Sequence, residues 1–131
     1  MRISVLALLS LAFAYPASAA CNKDILSITA WSIKPVNTQT NELTVTMTYN
    51  GAKPSKMIDA TFGFTDALGG RIAAAAVNRD LKVEPGESFT QVGKWGTNTF
   101  ERLLTLDRDD VQAETCVRSI LLRDGSKETF N

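Results

Sequence analysis

Strict alternation of apolar and polar side chains in two stretches most constrains what this chain can fold into. In residues 43–49 the apolar positions alternate with Thr44, Thr46 and Thr48, and residues 58–65 repeat the pattern. Period-two alternation is typical of a strand with one face in a core and the other in water. The sequence therefore predicts these residues for the core: Leu43, Val45, Met47, Tyr49, Ile58, Ala60, Phe62 and Phe64.

Turn residues separate the predicted strands at intervals of about eight to twelve residues. Asp124-Gly125 predicts a type I′ hairpin, in which both central residues have positive φ. Six to eight short strands joined in this way predict an all-β fold, a single antiparallel β-sandwich. The turn signals are Asn50-Gly51 with the connection to Ser55, Asp66 to Gly70, Pro85-Gly86, and Asp124-Gly125.

Several segments outside the two alternating stretches also have identifiable patterns. The four alanines of residues 71–77 favour a helix by propensity, but so short a segment without caps favours a strand. Residues 97–104 predict the one short helix, capped by Thr97 or Asn98. The remaining predictions are a strand at 24–34 ended by Pro35, a loop at 37–41, alternation at 81–84, a strand at 87–95 and a strand at 111–122.

Residues 1–20 are predicted to be a secretory signal peptide. Arg2 supplies the positive start, residues 3–14 are almost wholly apolar, and small residues at 17–20 form a cleavage site. The apolar run is shorter than the roughly 20 residues that span a bilayer. We therefore expect one domain, residues 21–131, that is periplasmic or secreted and has no transmembrane segment in its mature form.

The two cysteines, Cys21 and Cys116, predict a disulfide, because an even number of cysteines in an exported chain is typically paired. The alternative is a lipoprotein of the inner or outer membrane with a lipid on Cys21, since bacterial lipoproteins are cleaved just before a cysteine. Lipidation would leave Cys116 unpaired, so parity favours the bridge.

Composition excludes several classes of function. The chain has 14 basic and 14 acidic side chains with no basic stripe, so nucleic acid is not an expected partner. It has no histidine, which removes the commonest general base and metal ligand. No glycine-rich phosphate loop precedes a helix. We expect no catalytic residue, no metal ligand and no cofactor.

The remaining candidates for chemistry are carboxylates and aromatic side chains. Residues 107–110 are acidic but lack the calcium-loop pattern, so they predict a solvated loop in which Arg108 partly neutralises its neighbours. Glu84 and Glu87 remain possible as a glycosidase-like pair. Core packing is the expected role of the aromatic residues, with ligand binding as the alternative. These aromatic residues are Trp31, Phe62, Phe64, Phe89 and Trp95.

Residues 62–66, the Leu68-Gly69 turn and residues 81–89 together resemble the FxLYD-type domain. Phe62 and Asp66 match its namesake positions, with Phe64 in place of the leucine and Thr65 in place of the tyrosine, and the Pro-Gly-Glu corner at 85–87 fits as well. The resemblance spans roughly residues 43–92. It implies an immunoglobulin-like sandwich of exported prokaryotic proteins and brings no catalytic residues.

These observations predict a non-enzymatic module that binds a protein or cell-envelope partner through a strand edge or an end loop. The alternative is a small periplasmic enzyme, or an enzyme inhibitor, that acts on envelope polysaccharide. An inhibitor is expected to present a loop such as residues 50–55 or 66–70.

Overall fold

The computed structural model describes residues 21–130, so the predicted signal peptide, residues 1–20, lies outside the described residues. The described part contains seven strands. A short helix, α1 (Thr97–Phe100), continues as a 3-10 turn over Glu101–Leu104, and a second 3-10 turn covers Arg108–Asp110. The strands are β1 (Leu26–Pro35), β2 (Thr40–Tyr49), β3 (Ser55–Asp66), β4 (Arg71–Ala76), β5 (Ser88–Gly96), β6 (Val111–Leu122) and β7 (Lys127–Thr129).

Two antiparallel sheets face each other across one core. The first sheet has the order β1-β2-β5, and the second has the order β4-β3-β6-β7. This is an immunoglobulin-like sandwich, and the predicted fold class is confirmed. At one end of the sandwich β1, β3 and β5 finish while β2, β4 and β6 begin. We call this the hairpin end.

All eight side chains predicted for the core are buried, each with 3% exposure or less. The two alternating stretches therefore lie in strands that face the core, as predicted, with one strand in each sheet. Further large apolar side chains complete the core from the other elements: Leu26, Val83, Phe100, Leu103, Val117, Ile120 and Leu122.

The alanine-rich segment is a strand, as predicted, and it pairs with β3. The alternating segment at 81–84 is not a strand, although Leu81 and Val83 are buried. It is held beside the start of β3 by Ser55, whose hydroxyl donates to the Leu81 carbonyl (2.7 Å) and accepts from the Val83 N–H (3.2 Å). A side chain thus supplies bonds that a sheet ladder would otherwise supply.

The prediction of a type I′ turn at Asp124-Gly125 is wrong. Gly125 has φ +88°, but no non-glycine residue in the described range has positive φ, so Asp124 does not. The Gly125 N–H donates to the Leu122 carbonyl (3.0 Å), and the Leu122 N–H donates to the Ser126 carbonyl (2.9 Å). The loop is therefore one residue longer than the dipeptide predicts, and only the glycine needs left-handed backbone.

Two further sequence predictions need correction. The loop predicted at 37–41 ends two residues early, because Thr40 and Asn41 belong to β2, and Asn41 is 2% exposed. Asn41 continues the inward positions of the alternating stretch, and its polar side chain hides that periodicity. The predicted caps of the helix are also wrong: Gly96 is the N-cap, with no side-chain hydrogen bond. The extended backbone of β5 runs directly into the helix.

The predicted disulfide between Cys21 and Cys116 is present, with a Cα–Cα distance of 5.2 Å. Because the Cys21 sulfur forms this bond, it is not free to carry a lipid. Asn22 then pairs with Val117 of β6, and the Thr115 hydroxyl donates to the Leu26 carbonyl (2.6 Å) where the chain enters β1. The start of the described chain therefore ties the two sheets together. Within residues 21–130, no helix is long and apolar enough to cross a membrane.

Candidate functional site

The loops of the hairpin end are tied to one another by specific contacts. The Arg102 guanidinium lies 3.1 Å from the Asp66 carboxylate, which joins the helical segment to the β3–β4 turn. The Thr97 N–H donates to the Gln39 carbonyl (3.2 Å), which joins the same segment to the β1–β2 turn. Three connections thus form one surface: residues 36–39, 67–70 and 97–110.

The turn between β3 and β4 is fixed by hydrogen bonds that converge on Asp66. One oxygen of its carboxylate accepts from the N–H groups of Leu68 (3.0 Å) and Gly70 (2.8 Å). Its backbone carbonyl accepts from Gly69, which has φ +78°, and its N–H donates to the Gly70 carbonyl. Aspartate is suited to this position because its short side chain reaches the backbone two and four residues ahead. The turn is therefore held in one conformation.

This rigid turn presents an apolar side chain to solvent. Leu68 is 98% exposed, more than any other large hydrophobic residue of the described chain. Val36 in the β1–β2 turn and Leu104 in the helical segment are also exposed, at 45% and 40%. The hairpin end therefore carries exposed apolar side chains on all three of its connections, with Leu68 at the tip of one of them.

The contacts of Asp66 stabilise its ionised form. The Gly70 N–H is the largest cause of a lowered pKa of this carboxyl, and the Arg102 guanidinium is the next. The carboxylate is therefore charged at neutral pH and available to accept all of its hydrogen bonds. The turn therefore keeps its geometry at neutral pH.

Aromatic rings pack against one another beneath the loops of the hairpin end. The rings of Trp31 and Phe64 lie 5.3 Å apart, and Phe100 contacts both Phe64 (6.0 Å) and Trp95 (5.4 Å). The core role predicted for Phe62 and Phe64 is confirmed by their burial. Trp31, Phe89 and Trp95 are partly buried and pack against the same core.

The acidic run at 107–110 is exposed, as predicted for a solvated loop. Within the described residues, no three His, Cys, Asp or Glu side chains cluster so that they could hold a metal ion. The Arg108 guanidinium lies 4.0 Å above the Trp31 ring and donates to the Trp31 carbonyl, and among the described residues it forms no ion pair with the neighbouring aspartates. Cation–π attraction and a charged hydrogen bond outweigh its pairing with the exposed aspartates.

Several carboxylates outside the hairpin end form ion pairs. Asp59 accepts two hydrogen bonds from Arg118 (3.0 and 3.3 Å), and these lower the pKa of its carboxyl. Glu84, one member of the possible glycosidase-like pair, binds Arg123. Glu87 is exposed on the Pro-Gly corner. These contacts give Asp59 and Glu84 a structural role.

The loop at the other end, residues 50–55, is built differently from the Asp66 turn. The Tyr49 hydroxyl donates to the Lys53 carbonyl (2.7 Å), and a Cβ on Gly51 would overlap the Tyr49 ring. Its exposed residues are small or charged, and Lys53 lies 3.6 Å from Asp124. Of the two loops that the sequence singled out, only the Asp66 turn exposes a large apolar side chain.

A surface depression of about 260 Å³ lies on the outer face of the four-stranded sheet. Its floor is Gly63, and Ala74 and Thr61 line its sides. Missing side-chain volume at these positions explains the depression. The Glu114 carboxylate on its rim binds Lys23 (3.2 Å).

Comparisons of the chain with family models, with curated proteins and with solved structures found no match in any of the three. The geometry of the chain itself therefore carries the functional argument. The sequence pointed to residues 66–70 as a loop, but it did not indicate Arg102 or the exposure of Leu68. A leucine between turn-forming Asp and Gly residues is the signal that could have indicated the exposed side chain.

Proposed function

We propose that this protein is an exported, non-enzymatic module that binds a protein partner through its hairpin end, with Leu68 as the inserted side chain. The observation that carries this proposal is the near-complete exposure of Leu68 on a turn fixed by Asp66. A small protein inhibitor of an envelope enzyme is one form that such a module takes, since an inhibitor inserts a projecting loop into a cleft.

The exposed leucine supports binding because its burial is favourable. Transfer of a leucine side chain from water into an apolar pocket contributes about 1.5–3 kcal/mol. Leu68 gains little of this within its own chain, so the gain is available to a partner. Val36 and Leu104 are exposed on the other two connections of the hairpin end.

The fixed turn supports binding because it reduces the entropy lost on association. Ordering a flexible loop costs about 0.5–1.5 kcal/mol for each side chain immobilised. The Asp66 hydrogen bonds and the Arg102 ion pair order this turn before any partner arrives. Charged residues around the tip, including Arg71 and Glu101, supply the polar rim that interfaces of this kind have.

The compartment in this proposal is the periplasm or the extracellular space. The Cys21–Cys116 disulfide fits an oxidising environment, and the predicted signal peptide and the resemblance to FxLYD-type domains are consistent with export. The proposed partner is therefore a protein of the cell envelope or of the extracellular medium.

Affinity capture from an envelope extract tests the proposal. The wild-type protein is compared with Leu68→Ser, and Met57→Ser serves as a control because Met57 is 41% exposed on the outer face of the four-stranded sheet. We expect wild type and Met57→Ser to retain the same protein and Leu68→Ser to lose it. Equal retention by all three proteins, or no specifically retained protein, contradicts the proposal.

A further inference from the structure

The sandwich has four edge strands, β1 and β5 in one sheet and β4 and β7 in the other. An edge strand carries unpaired N–H and C=O groups that can pair with another chain. Natural sheets block such edges with bulges, prolines, charged side chains or short length. Three of the four edges in this sandwich are blocked by recognisable devices.

The edge of β1 is blocked along its length. Its pairing with β2 shifts register between Ile28 and Ala30, which is the irregularity of a β-bulge. Arg108 donates to the carbonyl of Trp31, and Pro35 ends the strand without an N–H. A second chain could not pair regularly with this strand.

The edges of the other sheet are also closed. The edge strand β4 has only six residues, and the Gln91 side-chain amide donates to the carbonyl of its last residue, Ala76 (3.0 Å), and accepts from the Asn78 N–H just beyond it (2.8 Å). The opposite edge strand, β7, has only three residues, Lys127–Thr129. Neither edge offers a long regular ladder.

The edge of β5 is different. It has nine residues, contains no proline, and pairs with β2 without a register shift. At the two ends of β5, the Tyr49 N–H donates to the Glu87 carbonyl and the Thr97 N–H donates to the Gln39 carbonyl. The odd-numbered residues of β5 therefore direct their backbone N–H and C=O groups towards β2. Because antiparallel ladders alternate, the even-numbered residues direct their backbone groups outwards. In the described part of the chain, no backbone hydrogen bond occupies those outward groups. The outward residues are Ser88, Thr90, Val92, Lys94 and Gly96.

We propose that a second copy of this chain pairs along the β5 edge, antiparallel, with a two-fold axis at Val92. The two three-stranded sheets then form one continuous six-stranded sheet. Five outward residues on each copy supply about ten inter-strand hydrogen bonds. Val92 lies opposite Val92, Thr90 opposite Lys94, and Ser88 opposite Gly96.

The side chains of β5 favour a second copy as the occupant of this edge. Val92 is 58% exposed at the middle of the strand, so a two-fold axis there places the two Val92 side chains against each other. Lys94 is the only charged residue of the strand, and in this register it faces a threonine. A two-fold axis at Lys94 would place like charges opposite each other, and an axis at Thr90 would shorten the overlap. The register at Val92 aligns the whole strand.

This arrangement is compatible with the proposed function. An antiparallel pair directs the two hairpin ends in opposite directions, so both Leu68 tips stay accessible. The second copy therefore does not occupy the surface assigned to the partner, and loss of either interaction leaves the other in place.

Sedimentation velocity of the oxidised protein between about 1 μM and 1 mM tests the pairing. We expect a concentration-dependent monomer–dimer equilibrium. Val92→Lys should raise the dimer dissociation constant at least tenfold, because it places two ammonium groups opposite each other. Val36→Lys, at the similarly exposed position in the hairpin end, should leave the constant unchanged.

A second variant and a second measurement test the proposed register of the two β5 strands. Thr90→Glu should lower the dissociation constant about threefold, because the glutamate faces Lys94 of the second copy on both sides of the axis. In the wild-type protein, hydrogen exchange at the amides of Thr90, Val92 and Lys94 should slow as concentration rises. A monomer at every concentration, or a dimer that leaves these amides and the Val92→Lys variant unaffected, overturns the proposal.

Discussion

At the scale of single residues, polar groups inside the sandwich differ sharply in how well they are bonded. Ser55 is fully buried, and its hydroxyl both donates and accepts a hydrogen bond. Thr115, also buried, donates to the Leu26 carbonyl. The Asn41 side-chain nitrogen is buried without a hydrogen-bond partner. Buried polar groups stabilise a fold when they are bonded, so the hydrogen bonds of Ser55 and Thr115 stabilise the sandwich.

Replacement of Ser55 by alanine should lower the free energy of unfolding by about 1–3 kcal/mol, since it leaves the Leu81 carbonyl and the Val83 N–H short of a partner. Chemical denaturation of the variant measures the change. Ser88→Ala is the matched control, because the Ser88 hydroxyl contacts only Thr48 on the exposed face. Equal stability of the two variants would show that the buried hydroxyl contributes nothing.

The Asp66 carboxyl should titrate below its ordinary value of 3.8, because the Gly70 N–H and Arg102 stabilise its charged form. A folded-state pKa below the unfolded value means that the turn is stabilised above the unfolded pKa and loses that stabilisation as pH falls through the lowered pKa. NMR shifts of the Leu68 and Gly70 amides should follow this titration. In Asp66→Asn the transition should vanish, and a midpoint at or above 3.8 in wild type would contradict the assignment.

At the scale of elements, alternation predicted the two central strands but not the coil at 81–84, and turn residues predicted where the chain turns but not the turn type at Asp124-Gly125. Residues 43–49 and 58–65 lie in β2 and β3 with their apolar side chains in the core, because a period-two pattern admits only one orientation on a sheet. The turn at Asp124-Gly125 differs from its prediction because loop length depends on where β6 and β7 stop pairing, which the dipeptide does not encode. The cap of α1 differs because the preceding strand sets the backbone of Gly96.

The glycine in the last hairpin remains a sensitive position. Gly125→Val should reduce stability by about 1–3 kcal/mol, because Gly125 has φ +88° and a β-branched side chain is strained there. Gly96→Val is the matched control, since Gly96 has an ordinary φ and open space around its Cα. Thermal unfolding measures both variants. An equal effect at the two glycines would mean that backbone strain does not limit this hairpin.

At the scale of the whole molecule, the disulfide could be predicted from the sequence more fully than the hairpin end. Cysteine parity predicted the bridge, which spans 95 residues and restricts the unfolded chain by about 4–5 kcal/mol in the chain-entropy model. The hairpin end was predictable only in part. Residues 66–70 were identified as a turn, but the Arg102–Asp66 contact joins residues 36 positions apart, and no local pattern indicates such a pairing.

Site-specific photo-cross-linking in cells tests the central claim, that Leu68 enters a protein partner, most directly. A photoreactive amino acid replaces Leu68 in one strain, and in a second strain it replaces Ala52, which is exposed at the opposite end of the sandwich. We predict a discrete covalent adduct from position 68 and none from position 52. The adduct should weaken when Asp66→Asn loosens the turn. Adducts from position 52 alone, or from neither position, would contradict the account.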